Sequence, residues 1–279
     1  MSTTILPAIS IVTPSYNQAQ FIEETILSIL NQNYPNLELI VVDGGSTDHT
    51  LKILKKYQEH LTWTSNKDNG QTSAINFGLQ QASGEIFAFL NSDDFYNPGA
   101  LLAVGTYFAL HPEAYCLTGK CRTIDENGKE IRGLITIYKN IWMLFHSYQV
   151  LRVLNYISQP ATFWRRSVTH DIGFLDETLQ YTMDYEYWLR MGKKYRMHYL
   201  SNELACFRVH STSKSGNTAH RQFDEELMVA RKYGKDLPVL LHAFHRSLVV
   251  YIYKRFLKIS EDRSIEINRK SESIASSRF

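Results

Sequence analysis

Residues 86–94 read IFAFLNSDD, and this short stretch decides the fold class of the chain. A run of five apolar residues, typical of a buried strand, ends at two adjacent carboxylates, Asp93 and Asp94. In open α/β sheets, ligands bind at the edge where such strands end. Neighbouring carboxylates repel each other unless a positive charge lies between them, and a divalent cation completed by substrate phosphates is the usual partner. The stretch therefore predicts a metal and diphosphate site.

A simpler interpretation is that one of these acids caps the helix that follows. The neighbouring Asn97-Pro98 weakens it, because this pair already supplies a cap and a first-turn proline.

The pattern before this stretch predicts a parallel sheet. Apolar strands at 9–13, 37–42 and 61–65 alternate with helical patterns, and the loops between them are short. Such alternation implies parallel pairing with right-handed crossovers. After residue 110 the pattern changes: 114–124 and 130–133 flank a hairpin turn signal, DENG, and 134–157 is apolar without a clear period.

Three predicted strands end in polar residues that should share one sheet edge. These are Pro14–Asn17 after the first strand, Asp43 after the second, and Asp93 with Asp94. An Asp in the second position can bind a ribose or a base. The loop after the first strand lacks both the dinucleotide fingerprint and the Walker motif, which disfavours nicotinamide enzymes and P-loop NTPases.

Composition narrows the class of protein further. The 279 residues have an ordinary apolar content of 44%, and the net charge of 30 − 28 = +2 does not favour nucleic acid as a partner. The three cysteines show no metal-binding spacing, and the N-terminus has no signal-peptide pattern. We expect a cytoplasmic protein without a membrane span.

The C-terminal region has an uneven charge. Residues 231–270 contain ten Lys or Arg and four Asp or Glu. Apolar residues recur near one helical face at Leu241, Phe244, Leu248, Ile252, Phe256 and Ile259. A basic amphipathic helix can lie on anionic lipid, which would make the protein peripheral at the inner face of the membrane. Packing on the catalytic part or on a second subunit is an equal alternative.

Three strings, in this order, carry a resemblance to a known family: SIVTPSYNQAQFIEETILSILNQNYPNLELIVVDGGSTDHT, DNGQTSAINFGLQQASGEIFAFLNSDD and MDYEYWLRM. The chain resembles the inverting family 2 glycosyltransferases. The resemblance implies an α/β fold of the A-type (GT-A), with a mostly parallel Rossmann-like sheet between helices and a C-terminal helical extension. The expected catalytic domain is 1–215, with a nucleotide-sugar-binding half at 1–110 and an acceptor half at 111–215. The extension is 216–279.

The resemblance also implies roles for residues at the sheet edge. Nucleotide-sugar binding falls to Pro14, Tyr16, Asn17, Asp43, Asp68 and Asp93. Asp43 matches the family's uracil-contacting acid, and Gly44 stands where a second acid is often found. Asp94 would ligate a divalent cation, Mn²⁺ or Mg²⁺, and His210 resembles a late histidine near the metal and the diphosphate.

Asp184 is the expected catalytic base. It matches the acid of the family's Glu-Asp motif, whose Glu is here Met183, and in the family it deprotonates the acceptor hydroxyl. Loss of that neighbouring charge should lower the pKa of Asp184. The alternative for Asp184 is a carboxylate stabilised by the helix dipole, and Glu186 is the second choice of base.

The implied reaction moves a monosaccharide from a nucleoside diphosphate sugar, first of all a UDP-sugar, to a hydroxyl of a growing glycan or a lipid-linked acceptor. Two alternatives remain. A nucleotidyltransferase would need a Gly-rich basic loop after the first strand, and PSYNQAQ is not one. A non-catalytic sugar-nucleotide-binding partner of a transferase complex would not need Asp93, Asp94, Asp184 and His210 together. Oligomer formation is open.

Overall fold

One sheet of eight strands, with helices packed on both faces, forms the framework of the chain. The computed structural model describes residues 5–213, 219–234 and 236–256. Residues 257–279, including Ile259 of the predicted apolar stripe, lie outside the described residues. The strands are β1 (Ile9–Ser15), β2 (Leu37–Asp43), β3 (Thr62–Ser65), β4 (Ile86–Phe89), β5 (Phe95–Tyr96), β6 (Cys116–Ile124), β7 (Thr162–Arg165) and β8 (Met197–Arg208). The helices are α1 (Ile22–Leu30), α2 (Thr50–Lys56), α3 (Gln71–Gln81), α4 (Ala100–Leu110), α5 (Gly133–Leu144), α6 (Tyr148–Val153), α7 (Arg166–Ile172), α8 (Met183–Lys194), α9 (Ala219–Lys232) and α10 (Leu237–Phe256).

The first half of the sheet is parallel, as predicted. Strands β3, β2, β1 and β4 lie side by side, and Ser15 pairs with Asp43, which pairs with Ser65. Because the carboxyl ends of these strands meet at one edge, the loops that follow them are neighbours. This arrangement brings the segments 16–17, 44–46, 66–70 and 91–94 together.

Strand β4 shows why IFAF is apolar throughout. Ile86 and Ala88 belong to one buried cluster, whereas Phe87 and Phe89 belong to the other. Successive side chains of a strand point to opposite faces, so a strand covered on both faces has no polar position. Helices α1, α2 and α4 cover one face, and α3, α6 and α8 cover the other.

The second half of the sheet is mixed. β7 is antiparallel to both β4 and β6, whereas β6 and β8 are parallel to each other. The two-residue strand β5 follows the acid pair directly and pairs antiparallel with β8, with Phe95 opposite Cys206. This pairing brings Asp93 and Asp94 next to the end of β8. The predicted α/β fold with C-terminal helices is confirmed.

One local expectation needs correction. The turn at Asp125–Gly128 is present, but the predicted return strand at 130–133 is reduced to one bridge between Ile124 and Glu130 before α5 begins. The apolar stretch 134–157, which has no clear period, contains most of α5 and all of α6. Strand β8 begins at Met197 and pairs parallel with β6.

The described part of the predicted extension packs on the acceptor half. α9 contacts α8, and α10 contacts both α6 and α9. No helix in the described ranges is long and apolar enough to cross a bilayer.

Candidate active site

A cavity of about 650 Å³ opens at the carboxyl edge of the parallel strands. Five of the predicted site residues line it: Pro14, Tyr16, Asp68, Asp93 and Asp184. The described lining does not include the other four, Asn17, Asp43, Asp94 and His210. All nine nevertheless belong to loops or element ends.

Asp43 ends β2 and is only 1% exposed. Its Oδ2 accepts hydrogen bonds from the backbone N–H groups of Gly45 (3.0 Å) and Ser46 (2.8 Å) and from the Ser65 hydroxyl (2.7 Å). The Ser46 hydroxyl donates to Oδ1. Asp43 therefore fixes the loop after β2, and its neighbour Gly44 lines the cavity there.

Asn17 joins the loop after β1 to the loop after β2. Its backbone has φ of 52°, a left-handed conformation that Asn tolerates better than most residues. Its Oδ1 accepts from the Thr47 N–H at 2.8 Å, and its own N–H donates to Ser46 Oγ at 2.8 Å. These bonds fix the backbone next to Tyr16, whose exposed ring lines the cavity.

Asp68 brings a carboxylate to the place where the family often has a second acid. A Cβ atom built on Gly44 would lie 3.0 Å from Asp68 Oδ2, so the two residues are in close contact. The Asp68 Oδ1 accepts the N–H of Gly70 at 2.8 Å, which holds the side chain in this position. The missing acid at position 44 is thus replaced in space by one from the loop after β3.

Asp93 and His210 form a pair at the edge of the cavity. His210 Nε2 lies 3.0 Å from Asp93 Oδ2, and Thr212 Oγ1 lies 2.9 Å from His210 Nδ1. The imidazole is buried and packs on the Phe21 ring, with centroids 4.7 Å apart. Residues far apart in the sequence are joined here because β5 pairs with β8.

Asp94 is fully buried behind Asp93. Its Oδ1 accepts the backbone N–H of Arg208 at 2.8 Å, and Asn91 Nδ2 lies 3.3 Å from its Oδ2. Burial, and then the charge of Asp93, raises the pKa of Asp94 well above its usual range, although the Arg208 N–H opposes the shift. The charge of Arg208 also opposes the shift but does not outweigh burial.

Arg208 is a site residue that the sequence analysis missed. Its guanidinium lines the cavity and donates to the Asp93 carbonyl (2.9 Å), the Glu126 carbonyl (3.1 Å) and the Glu24 carboxylate (2.5 Å). It also lies over the rings of Phe21 and Phe95. Its position in FRVH, next to the predicted His210, was the available signal.

The chemistry of this corner fits a divalent cation. Two carboxylates and an imidazole, from Asp93, Asp94 and His210, are donors that Mn²⁺ and Mg²⁺ accept. Burial and then the charge of Asp93 raise the pKa of Asp94, and a bound cation would oppose this shift. Within the described residues, no group of three or more His, Cys, Asp or Glu side chains already has the geometry of a metal site.

Asp184 lies in the first turn of α8 and lines the cavity. Its Oδ1 accepts the N–H of Tyr185 at 2.7 Å. The pKa of Asp184 is raised, first of all by burial, while the charge of Lys139 opposes the shift and that of Glu225 adds to it. Burial dominates the pKa of Asp184, and Glu225 supplies a negative charge from α9. The expectation that Met183, in place of Glu, lowers this pKa stays a prediction, because it compares Asp184 with a neighbour that this chain lacks.

Glu186 is a structural residue. It is buried in an ion pair with Arg190, 2.9 Å away, and it accepts from the Tyr233 hydroxyl. Both carboxylate oxygens are thereby occupied, and Glu186 does not line the cavity, so the second choice of base finds no support here.

The sheet order, with helices on both faces, is that of an α/β fold of the A-type (GT-A). Two solved structures share this fold. The TarS 1–349 fragment of S. aureus in complex with UDP-GlcNAc superposes with a TM-score of 0.64 at 19% identity, covering 93% of this chain and 77% of that one. The mannosyltransferase PcManGT of Pyrobaculum calidifontis, solved with GDP-Man and Mn²⁺, gives 0.65 at 18% identity, covering 88% and 70%.

Sequence comparison identifies the family. The model of glycosyl transferase family 2 matches residues 10–173, which is more than half of the chain. A Rickettsia felis protein named an uncharacterized glycosyltransferase is 31% identical over 221 residues. That alignment covers 75% of this chain and 35% of the relative, so the chain spans about a third of its length. The chain belongs to glycosyl transferase family 2.

Proposed function

We propose that this protein transfers a monosaccharide from a nucleoside diphosphate sugar to a hydroxyl of a glycan or of a lipid-linked acceptor, with inversion at the anomeric carbon. The observation that carries the proposal is one cavity that Asp93, at the end of β4, and Asp184, at the start of α8, both line. The cavity has room for a sugar nucleotide, since ligand sites of this kind measure about 300–1,000 Å³.

The proposed donor is a UDP-sugar. Support comes from the fold shared with the TarS fragment solved with UDP-GlcNAc. Asp43, which matches the family's uracil-contacting acid, is buried with both carboxylate oxygens bonded within the protein, so it would act by holding the loop that carries Gly44. The mannosyltransferase with GDP-Man has the same fold, so GDP-mannose is the alternative donor to test. Asp68, held beside Gly44, is the proposed contact to the base or the ribose.

In the proposed mechanism Asp184 accepts the proton of the acceptor hydroxyl. The hydroxyl oxygen forms a bond to the anomeric carbon as the bond from that carbon to the diphosphate oxygen breaks on the opposite face. One displacement of this kind inverts the configuration. The raised pKa of Asp184 suits a general base, because a carboxylate with a higher pKa holds the transferred proton better.

The leaving diphosphate needs positive charge. Arg208 lines the cavity and presents a fixed cation beside the acid pair. A divalent cation held by Asp94, Asp93 and His210 would supply Lewis-acid neutralisation of the diphosphate when bound.

We also propose that the protein is cytoplasmic and peripheral at an anionic membrane surface. α5, in the predicted acceptor half, and α10, in the predicted extension, expose apolar side chains. We call this set the α5–α10 surface: Leu134, Ile137, Ile141, Leu144, Leu237, Leu240, Phe244 and Leu248. Tyr138 and His245 join the two helices through a 2.8 Å contact and stacked rings. The local excess of basic residues at 231–270 favours anionic lipid over a second copy as the partner.

Asp184→Asn tests the proposed reaction. The variant keeps the shape of the side chain but cannot take a proton, so kcat for transfer from a UDP-sugar should fall by about 10²–10⁴-fold. Affinity for the donor, measured by calorimetry with Mn²⁺, should not change, because Asp184 acts on the acceptor. Asp171→Asn is the matched control: this exposed acid pairs with Lys194 away from the cavity, and its loss should leave kcat unchanged.

Three results contradict the proposal. If Asp184→Asn transfers sugar at nearly the wild-type rate, Asp184 is not the catalytic base. Full activity after EDTA treatment would exclude a role for a divalent cation in the reaction. A product that keeps the donor's anomeric configuration, measured by NMR, would exclude the single-displacement mechanism.

A further inference from the structure

Glu225, in α9, binds the segment that leads into α8. Its Oε1 accepts hydrogen bonds from the backbone N–H groups of Gln180, Tyr181 and Thr182, each at 3.0 Å, and from the Thr182 hydroxyl at 3.0 Å. The Gln180 N–H also lies 3.2 Å from Oε2. Four donors from three consecutive residues thus converge on one carboxylate that is distant in the sequence.

This carboxylate anchors the chain just before α8. Thr182 is the residue that precedes α8, and its side chain does not cap the helix. Glu225 accepts from the donors of residues 180–182, outside the helix, and places a negative charge where the helix dipole is positive. Asp184 lies two residues after this anchored segment.

Glu226, the next residue of α9, lies in the same environment as Asp184. The charges of Asp184 and Glu226 act on each other, and the buried Lys139 of α5 and Arg246 of α10 oppose them. One turn earlier on the same helix, Gln222 lines the cavity. The wall of the cavity next to Asp184 is therefore partly made by α9, which lies outside the 10–173 match to the family.

We propose that Glu225 is a positioning residue for the reaction: through its bonds to residues 180–182 it holds the first turn of α8, and with it Asp184, in the orientation needed to meet an acceptor hydroxyl. In the family a Glu precedes the residue that matches Asp184, and this chain has Met183 there. Instead, Glu225 and Glu226 of α9 bring carboxylates close to Asp184. The proposal rests on the proposed function only in the role of Asp184, because the contacts of Glu225 are independent of any reaction.

The test uses the full chain with Glu225→Ala and Glu225→Gln. Gln keeps the volume and one acceptor oxygen, so it serves as the folded variant if Ala lowers the melting temperature severely. Asp224→Asn is the matched control, since this neighbouring acid is exposed and pairs with Arg246 instead of α8. The first readout is amide hydrogen exchange of residues 180–182 by mass spectrometry, which needs no substrate.

We expect faster exchange at residues 180–182 in both Glu225 variants and no change there in Asp224→Asn. We expect kcat for transfer to fall by roughly 10- to 100-fold in Glu225→Ala, the cost of a small misplacement of a reacting group, with KM for the donor unchanged. The acidic limb of the kcat–pH profile should also move to lower pH, because the variants remove a charge that raises the pKa of Asp184. A merely structural contact would lower stability without this separation of kcat from KM for the donor.

Unchanged exchange at 180–182 in both variants overturns the anchoring, whatever the activity. Faster exchange with unchanged kcat overturns the positioning role while leaving the contact intact. If wild-type protein transfers no sugar from any donor tested, the proposed function fails, and the exchange result still decides whether Glu225 anchors α8.

Discussion

Glu226 is a buried carboxyl whose titration should be visible in the stability of the protein. Burial, and then the charge of Asp184, raises its pKa from 4.5 to about 7. A group whose pKa is raised by folding stabilises the native state below its unfolded pKa, and this contribution is lost as pH rises through the folded value. Because of Glu226, the free energy of unfolding should therefore decrease as the pH rises from about 4.5 to about 7.

Glu226→Gln should remove this pH dependence. At pH 8 the variant should be more stable than wild type by up to about 3 kcal/mol, since each unit of pKa corresponds to about 1.4 kcal/mol. At pH 4.5 the two proteins should be nearly equal. Urea unfolding at the two pH values measures the difference, and Glu59→Gln, at an exposed site, provides the control. An equal effect at both pH values would show that Glu226 ionises freely.

Single residues were predicted best where a motif names them. Asp93, Asp184 and Asp68 were predicted from their strings, and all three line the cavity. Glu225 and Glu226 were not, because they lie on a helix whose many polar residues look like an ordinary solvated face. The burial of Asp94 was also beyond the sequence, since it depends on a pairing between β5 and β8 that no local pattern reveals.

At the scale of elements, the packing of α3 on β1 depends on one glycine. A Cβ atom at Gly78 would overlap Cγ1 of Val12 and lie 3.0 Å from its Cγ2. Both residues are buried, and the valine side chain has little rotational freedom. Only glycine therefore allows this helix to approach the sheet as closely as it does.

Gly78→Ala should lower the free energy of unfolding by about 1–2 kcal/mol. Overpacking typically costs about 1–3 kcal/mol, which the better helix propensity of Ala offsets by up to about 1 kcal/mol. Thermal and urea unfolding measure the effect. In a Val12→Ala background the added methyl has room, so Gly78→Ala should there become neutral or stabilising. The same loss in both backgrounds would exclude the contact as its cause.

Elements were predictable where their pattern has one clear period. The parallel half has buried strands with apolar residues at every position and helices with one apolar face, and these were assigned correctly. The segment 133–144 was not, because most of its apolar residues remain exposed and only Met143 is fully buried. The period that burial imposes is therefore missing from this part of the sequence.

For the molecule as a whole, the α5–α10 surface is the feature that calls for a partner. Leu240 and Phe244 are 65% and 70% exposed and lie one turn apart on α10. Replacing both by Gln should leave folding unaffected and weaken binding to vesicles containing anionic lipid by at least about tenfold, because burial of each side chain contributes about 1.5–3 kcal/mol. Vesicle sedimentation at low and high salt measures the binding.

Met228→Gln is the control, because Met228 is an exposed apolar residue on α9 outside this surface. A different result would assign the surface to a second copy of the chain. In that case the wild-type protein does not bind vesicles and is a dimer by light scattering, whereas the Leu240/Phe244 variant is a monomer.

The contribution of α9 to the wall around Asp184 affects how this chain can recombine with its relatives. A chimera with a crossover between β8 and α9 would combine Met183 with a C-terminal segment chosen without regard to Glu225 and Glu226. The proposed donor site, built from residues before position 100 and from the end of β8, would be inherited intact. Acceptor chemistry would not, so such hybrids should bind sugar nucleotides and yet turn them over slowly. The residues that must stay together for the proposed reaction thus extend beyond 10–173, the segment that matches the family.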